Sequence, residues 1–230
     1  MRSIFKLVLA EFSETTILNE ISFVINIFQL NALPYDSIII LVKVIGLIPA
    51  RLKSTRFPRK PLELIEGLPM FAHVYFRSKL ANLDEVYVCT DSNEILDKAK
   101  NLNIPVILTS KNHKNGTDRC GEAANGLSLN NNNLIVSVQG DEPLISPVLI
   151  NKVIKNFKPS FMDILFPYLE INKNEALGFV KLVSNKNGKV LYMSRSDIPN
   201  NFRKNVSLKS QVGVTLFTKK ALDIFSKNKS

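Results

Sequence analysis

Residues 38–48, Ile-Ile-Ile-Leu-Val-Lys-Val-Ile-Gly-Leu-Ile, constrain this chain most. A β-branched apolar run of this length, interrupted by Lys43, reads as a strand buried on both faces at the centre of a parallel sheet. Pro49 follows and, having no N–H to donate, is expected to end the ladder. The chain then changes character. Arg51, Lys53, Arg56, Arg59 and Lys60 come within ten residues with no acid among them, and Ser54 and Thr55 add further donors. The carboxyl end of a central parallel strand is where open α/β sheets bind anions. The stretch is therefore either a cradle for a triphosphate, held by guanidinium and ammonium groups, or a solvated basic loop.

Strands and helices alternate downstream. Residues 85–89, 105–108 and 134–138 are short apolar strands. A helix is expected from Gly67-Leu-Pro69 to about Ala81, burying Met70, Val74 and Leu80, with His73 as a packing residue. Ser92 caps a helix carrying Ile95, Leu96, Ala99 and Leu102, and Thr117 caps one containing Arg119, Glu122, Ala123 and Leu127. Ser146-Pro147 opens another. Short joints between these elements predict an α/β fold, a mostly parallel central sheet flanked by helices through right-handed crossovers. Beyond Pro159 the second half turns β-rich, with strands expected at 163–169, 179–183, 189–193 and 212–217, and Thr218 caps a last helix. Residues 1–37 stand apart as an N-terminal extension of unknown role, in which Ile17, Leu18, Ile21, Val24, Ile25 and Phe28 fall at helical spacing. Residues 38–230 form the domain.

Lys and Arg number 30 against 20 Asp and Glu, a net charge of +10, which suits an anionic ligand. Most of the bases are lysines scattered among asparagines, a pattern that composition bias also produces. No basic block or basic heptad helix is present, so nucleic acid is not the expected partner. Two cysteines far apart and two histidines provide neither a disulfide framework nor a zinc pattern. The apolar run Ile38–Ala50 is too short to span a membrane and is interrupted by Lys43, and at the N-terminus Glu11 and Glu14 stand where a signal cleavage site would lie. A cytoplasmic protein without membrane association is expected.

Three polar motifs fall at the carboxyl ends of predicted parallel strands: the basic loop, Thr90-Asp91, and Gln139-Gly-Asp-Glu-Pro143. In an open sheet these ends share one rim, so the motifs should converge. Phosphates held by Arg51, Arg56 and Lys60 would then face Asp141, an acid suited to Mg2+, which takes one or two carboxylates and completes its shell with phosphate oxygens and water. Gly140 permits close backbone approach. The competing reading makes Asp141 and Glu142 ordinary turn residues before Pro143.

Ile48-Pro-Ala-Arg51, Ser54-Thr-Arg56 and Lys60-Pro-Leu62, followed by Asn115-Gly-Thr-Asp-Arg119, Val138-Gln-Gly-Asp-Glu-Pro-Leu144 and Leu191-Tyr-Met-Ser-Arg195, resemble the sugar-acid cytidylyltransferases in order and spacing. Gln-Gly-Asp-Glu-Pro favours the type acting on 3-deoxy-manno-octulosonate (Kdo). The resemblance runs from about Val44 to about Phe225 and implies a Rossmann-like nucleotidyltransferase fold and a homodimer. It implies transfer of CMP from CTP to the anomeric hydroxyl of Kdo with release of pyrophosphate, in surface-polysaccharide or lipopolysaccharide synthesis. Arg51 and Lys60 match phosphate-binding positions, with Arg56 assisting. Gly116, Thr117, Asp118 and Arg119 match the loop that recognises cytidine, with His113 orienting it. Gln139 lies on the sugar-acid side, Asp141 matches the metal ligand, and Arg195 either pairs the sugar carboxylate or sits on the surface. Three departures accompany the match. Arg59 stands where the family has Gly and is expected to crowd the phosphates. Gln211-Val-Gly213 follows Ser rather than the His common there. The family's later segment, with a second metal-binding Asp, has no counterpart before Ser230. Two alternatives follow: an enzyme for another sugar acid, of the acylneuraminate or amino-Kdo type, or a truncated chain that binds nucleotide without catalysis.

Overall fold

The structure, a computed structural model, describes residues 22–26, 42–53, 57–171, 178–199 and 207–227. Within the first 37 residues, where helical spacing predicted an amphipathic helix, Ser22–Asn26 form a strand, β1. The segment Ser-Phe-Val-Ile-Asn is dominated by aromatic and β-branched residues, whose β preference overrides the helical spacing of Val24 and Ile25. Ile17, Leu18, Ile21 and Phe28 lie outside the described residues.

The chain divides into two compact units. The larger, Asn26–Leu165 with Gly213–Ser230, is built on β2 (Val44–Ala50), which runs parallel to both its neighbours, β5 (Glu85–Thr90) and β7 (Leu134–Val138). Beyond β5 lies β6 (Val106–Leu108), also parallel. On the far side of β7 runs the antiparallel β12 (Val214–Thr218), which also pairs with Ile164 and Leu165 at the start of β8 (Ile164–Ile171). The α/β reading with a parallel centre therefore holds.

Pro49 does not end the strand as expected. β2 pairs with β5 through Ala50, yet its pairing with β7 stops at Leu47. Successive strand residues aim their N–H and C=O groups at alternate neighbours. The Pro49 carbonyl faces the loop after β7, where a Cβ on Gly140 would meet it at 2.6 Å. The missing N–H lies on that same side, so Pro49 closes one ladder and leaves the other intact.

A small hairpin, β3 (Leu64–Ile65) and β4 (Leu68–Pro69), turns through Glu66 and Gly67 at φ 47° and 81°, the positive values a tight hairpin needs. Pro69 thereby ends a strand and precedes α1 (Met70–Ser78) instead of opening it. Because α1 stops at Ser78, Leu80 projects outward and is 72% exposed, against the expected burial. His73 does pack, with Nε2 2.7 Å from the Ile65 carbonyl. Ser92 caps α2 (Asn93–Asn101) as expected, its Oγ accepting the Ile95 N–H at 3.3 Å. The cap of α3 (Gly116–Asn125) is Asn115, whose Oδ1 accepts the Asp118 N–H at 2.8 Å; Thr117 lies one residue inside the helix. Pro147 opens α4 (Pro147–Asn156), and Thr218 Oγ1 accepts the Ala221 N–H at the start of α5 (Lys219–Lys227).

Ile45 and Leu47 share one face of β2 and join Cys89, Cys120, Ala123, Ala124, Ile135, Phe217 and Leu222 in a closed core beneath α3 and α5. Burial pushes the Cys120 thiol up to about 12 and Cys89 well above its ordinary value, so neither free cysteine is a reactive thiolate.

The smaller unit, Met1–Ile25 with Phe166–Val212, is antiparallel. Its strands run β10 (Val190–Ser194), β9 (Lys181–Ser184), β11 (Leu208–Gln211), then β8, with which β1 also pairs. Strand β11, Leu-Lys-Ser-Gln, has a single apolar residue and carries no period-2 signal. Among the described residues no helix is long and apolar enough to cross a membrane.

Candidate functional site

Three loops of the larger unit meet around Pro49. One leaves β2, one precedes α3, and one leaves β7. A Cβ on Gly116 would fall 3.1 Å from Pro49 Cγ, and one on Gly140 would fall 2.6 Å from the Pro49 carbonyl oxygen. Glycine is required at 140 for the loop after β7 to close on the proline, and the fit at 116 is tight. Gly140→Ala pits a methyl against backbone, which cannot swing aside. Its expected cost is about 1–3 kcal/mol of stability, with a further loss of activity because the shifted loop carries Asp141. Thermal melting and turnover measured beside Gly116→Ala check this, since there Pro49 Cγ needs to give way by only a few tenths of an ångström. A Gly140→Ala protein that melts and turns over like wild type would refute the packing argument.

The same loops are tied by charge. Arg51 Nη1 donates to the Lys114 carbonyl at 3.1 Å, joining the basic loop to the loop before α3. Lys60 starts a 3-10 turn (Lys60–Leu62) whose Pro61 is buried, and its ammonium lies 2.9 Å from Asp141 Oδ2. The basic loop and the acid after β7 therefore converge, as the strand ends predicted. Arg56 lies outside the described residues. Arg59 does not point toward Lys60's partner. Its guanidinium forks onto both carboxylate oxygens of Glu94, in the first turn of α2.

The two neighbouring acids differ. Asp141 is exposed at the rim, whereas Glu142 packs against Gly213, where an added Cβ would lie 2.6 Å from Glu142 Cγ. Burial raises the Glu142 pKa and the Asp141 charge adds to the effect, while Lys60 opposes both. Gln139 is exposed, its backbone fixed by an N–H donated to the Gly213 carbonyl at 2.8 Å. The spacing of the motifs carried no sign that Gly213 would shelter Glu142, nor that Glu94 would serve the basic loop.

Before α3, Gly116, Thr117 and Asp118 are half-buried at the helix start, and Asp118 Oδ2 accepts from Asn115 Nδ2 at 2.9 Å. Arg119 turns the other way. It is 1% exposed, with Nη2 3.0 Å from Asp91 Oδ2 and Nη1 donating to Thr109 Oγ1. The inward face of the helix takes this side chain, so it ties the start of α3 to the residues that follow β5 and β6. His113 bonds Glu122, which also accepts the Ser110 N–H. Burial alone would raise the Glu122 pKa; the His113 and Ser110 hydrogen bonds outweigh it and lower the value. In the smaller unit, Arg195 is exposed and donates to the Gly178 carbonyl at 2.8 Å, while buried Lys181 donates to the Arg195 carbonyl at 2.8 Å.

Asp141 offers hard carboxylate oxygens, the donor type Mg2+ takes, beside the cationic loop.

A parallel sheet with a cationic loop, a facing acid and glycine-tight joints at its carboxyl edge is built as open α/β sheets that bind anionic ligands are. The chain belongs to the cytidylyltransferase family, whose profile matches residues 45–229. It is 40% identical over 185 residues to the 3-deoxy-manno-octulosonate cytidylyltransferase of a Nitratiruptor species, covering 78% of this chain and 77% of that enzyme. It is 39% identical over 195 residues to the 8-amino-3,8-dideoxy-manno-octulosonate cytidylyltransferase of Shewanella frigidimarina, covering 81% and 79%. Against the Nitratidesulfovibrio vulgaris (strain Hildenborough) 3-deoxy-manno-octulosonate cytidylyltransferase, 41% identical over 157 residues, the match spans 67% of this chain but only 62% of the relative's length. The solved structure of CMP:2-keto-3-deoxy-manno-octonic acid synthetase complexed with CTP superposes with a TM-score of 0.71 at 29% identity, over 82% of this chain and 79% of that one.

Proposed function

We propose that this chain transfers CMP from CTP to the anomeric hydroxyl of 3-deoxy-manno-octulosonate, releasing pyrophosphate. The observation that carries the reading is the convergence of Lys60 and Asp141, 2.9 Å apart across the ends of β2 and β7. Lys60 and Arg51 hold the triphosphate, and Arg56 belongs with them by its place in the motif. The sugar hydroxyl attacks the α-phosphorus in line, its oxygen bonding to phosphorus as the bond to pyrophosphate breaks. Such a transfer asks the protein for positioning and for cations where charge spreads. Asp141 would hold Mg2+, which supplies Lewis-acid stabilisation of phosphate charge when bound. Gly116, Thr117 and Asp118 line the nucleoside side, with Arg119 bracing that loop from within. Gln139 serves the sugar-acid side.

The test is pyrophosphate release from CTP and Mg2+ with and without the sugar acid. Release that requires the acid is the expected result; release without it, or none with it, overturns the proposal. The Shewanella relative favours a second reading of the acceptor, an amino group in place of a hydroxyl at carbon 8. Comparing kcat/KM for the two acids under the same conditions decides between them.

A further inference from the structure

We infer that Arg59 and Glu94 form an ionic strap that positions Lys60 for the triphosphate, a role that rests on the CTP reading above. Arg59 immediately precedes Lys60 and holds a left-handed backbone, φ 62° and ψ 13°. An L-residue adopts that conformation at a cost that glycine avoids. The backbone there is closed on both sides, with the Arg59 N–H donated to Leu52 O at 3.1 Å and the Leu62 N–H donated to Arg59 O at 2.9 Å. The side chain then leaves the phosphate path. Nη1 donates to Glu94 Oε2 at 2.9 Å and Nη2 to Oε1, a two-point fork that fixes direction as well as distance.

Strand order makes this geometry meaningful. β2 lies between β7 and β5, and α2 follows β5. Lys60 reaches Asp141 after β7, while its neighbour Arg59 reaches Glu94 after β5. The turn is thus tethered on opposite sides of β2 by consecutive residues. When triphosphate draws Lys60 away from Asp141, the Arg59–Glu94 tether remains and keeps the turn at the rim. Glycine at position 59 would satisfy the backbone alone. Arginine satisfies it less well but adds the strap.

The experiment is a cycle of Arg59→Gly, Glu94→Ala and the double variant, in the full chain. Hydrogen exchange of the amides of Phe57, residue 59, Lys60 and Leu62 is read without nucleotide, and the KM and kcat for CTP are read in the transfer assay. Each single variant is expected to speed exchange in that turn and raise the CTP KM about two- to fivefold, the scale of an exposed forked ion pair, with kcat and melting temperature nearly unchanged. The double variant should be no worse than Arg59→Gly, because one interaction is lost in all three. Added salt should shrink the gap to wild type. Unchanged exchange in Glu94→Ala overturns the strap, as do single effects that multiply in the double variant. Faster exchange with an unaltered KM overturns its positioning role. Exchange needs no nucleotide, so a wild-type chain that ignores CTP would sink the functional reading while the strap is still judged by its own measurement.

Discussion

Asp141→Ala is expected to lower sugar-dependent pyrophosphate release about 10²- to 10³-fold, the scale on which removing one charge-stabilising group slows a transfer, while the protein melts close to the wild-type temperature. The asymmetry follows from where the carboxylate sits. Asp141 is exposed and pairs with Lys60, itself about one-third exposed. Ion pairs of that kind contribute about 0–1 kcal/mol, so the fold should barely register the loss. Catalysis should, because Asp141 is the rim carboxylate that faces the cationic loop. Lys60→Ala separates the two partners. A phosphate contact made equally in ground and transition states raises KM alone, whereas one that tightens as pyrophosphate departs lowers kcat as well. Asp141→Asn keeps the shape and removes the charge; if it turned over like wild type, the metal role assigned to this residue would be wrong. Weaker CTP binding in Lys60→Ala without a matching loss in Asp141→Ala would show that the cradle and the acid act separately.

The convergence of Lys60 and Asp141, eighty-one residues apart, was legible in the sequence because it needed only strand order and the rule that parallel strand ends share a rim. The strands themselves were legible as short apolar runs: β7 is Leu-Ile-Val-Ser-Val between polar loops, and it is buried at every position but Ser137. What escaped depends on side-chain direction. Thr117 and Asn115 are both acceptable caps, and only the extended backbone of Asn115, φ −138° and ψ 171°, selects it. Leu80 looked like a core residue until the helix stopped two residues before it. Arg59 looked like an intruder among phosphates because its spacing reveals its charge but not its rotamer; a partner on α2, thirty-five residues away, leaves no trace in the loop's own motif. β11 was invisible since Lys209 and Ser210 are held by neighbouring strands and not by any apolar pattern of their own.

Arg119 shows the consequence of direction most sharply, and its replacement carries the largest expected effect on stability. Motif matching sets Arg119 beside Gly116, Thr117 and Asp118 as a nucleotide residue, yet its guanidinium is buried on Asp91 and Thr109, and Thr109 in turn donates to the Thr90 carbonyl at 3.0 Å. The pair thereby joins the first turn of α3 to the ends of β5 and β6. Removing Arg119 leaves the Asp91 carboxylate, 16% exposed, without its partner, and breaking a buried pair costs at most about 3–5 kcal/mol. Total domain stability is typically about 5–15 kcal/mol, so Arg119→Met should lower the melting temperature by many degrees and weaken CTP binding only as the loop above it loosens. Adding Asp91→Asn removes the stranded charge and should recover a large part of the stability, since a neutral amide tolerates burial better than a lone carboxylate. A direct nucleotide contact predicts the reverse: Arg119→Met would melt normally and lose CTP, and Asp91→Asn would restore nothing. Urea unfolding of the two single variants and the double, with CTP titration of each, separates a brace from a contact.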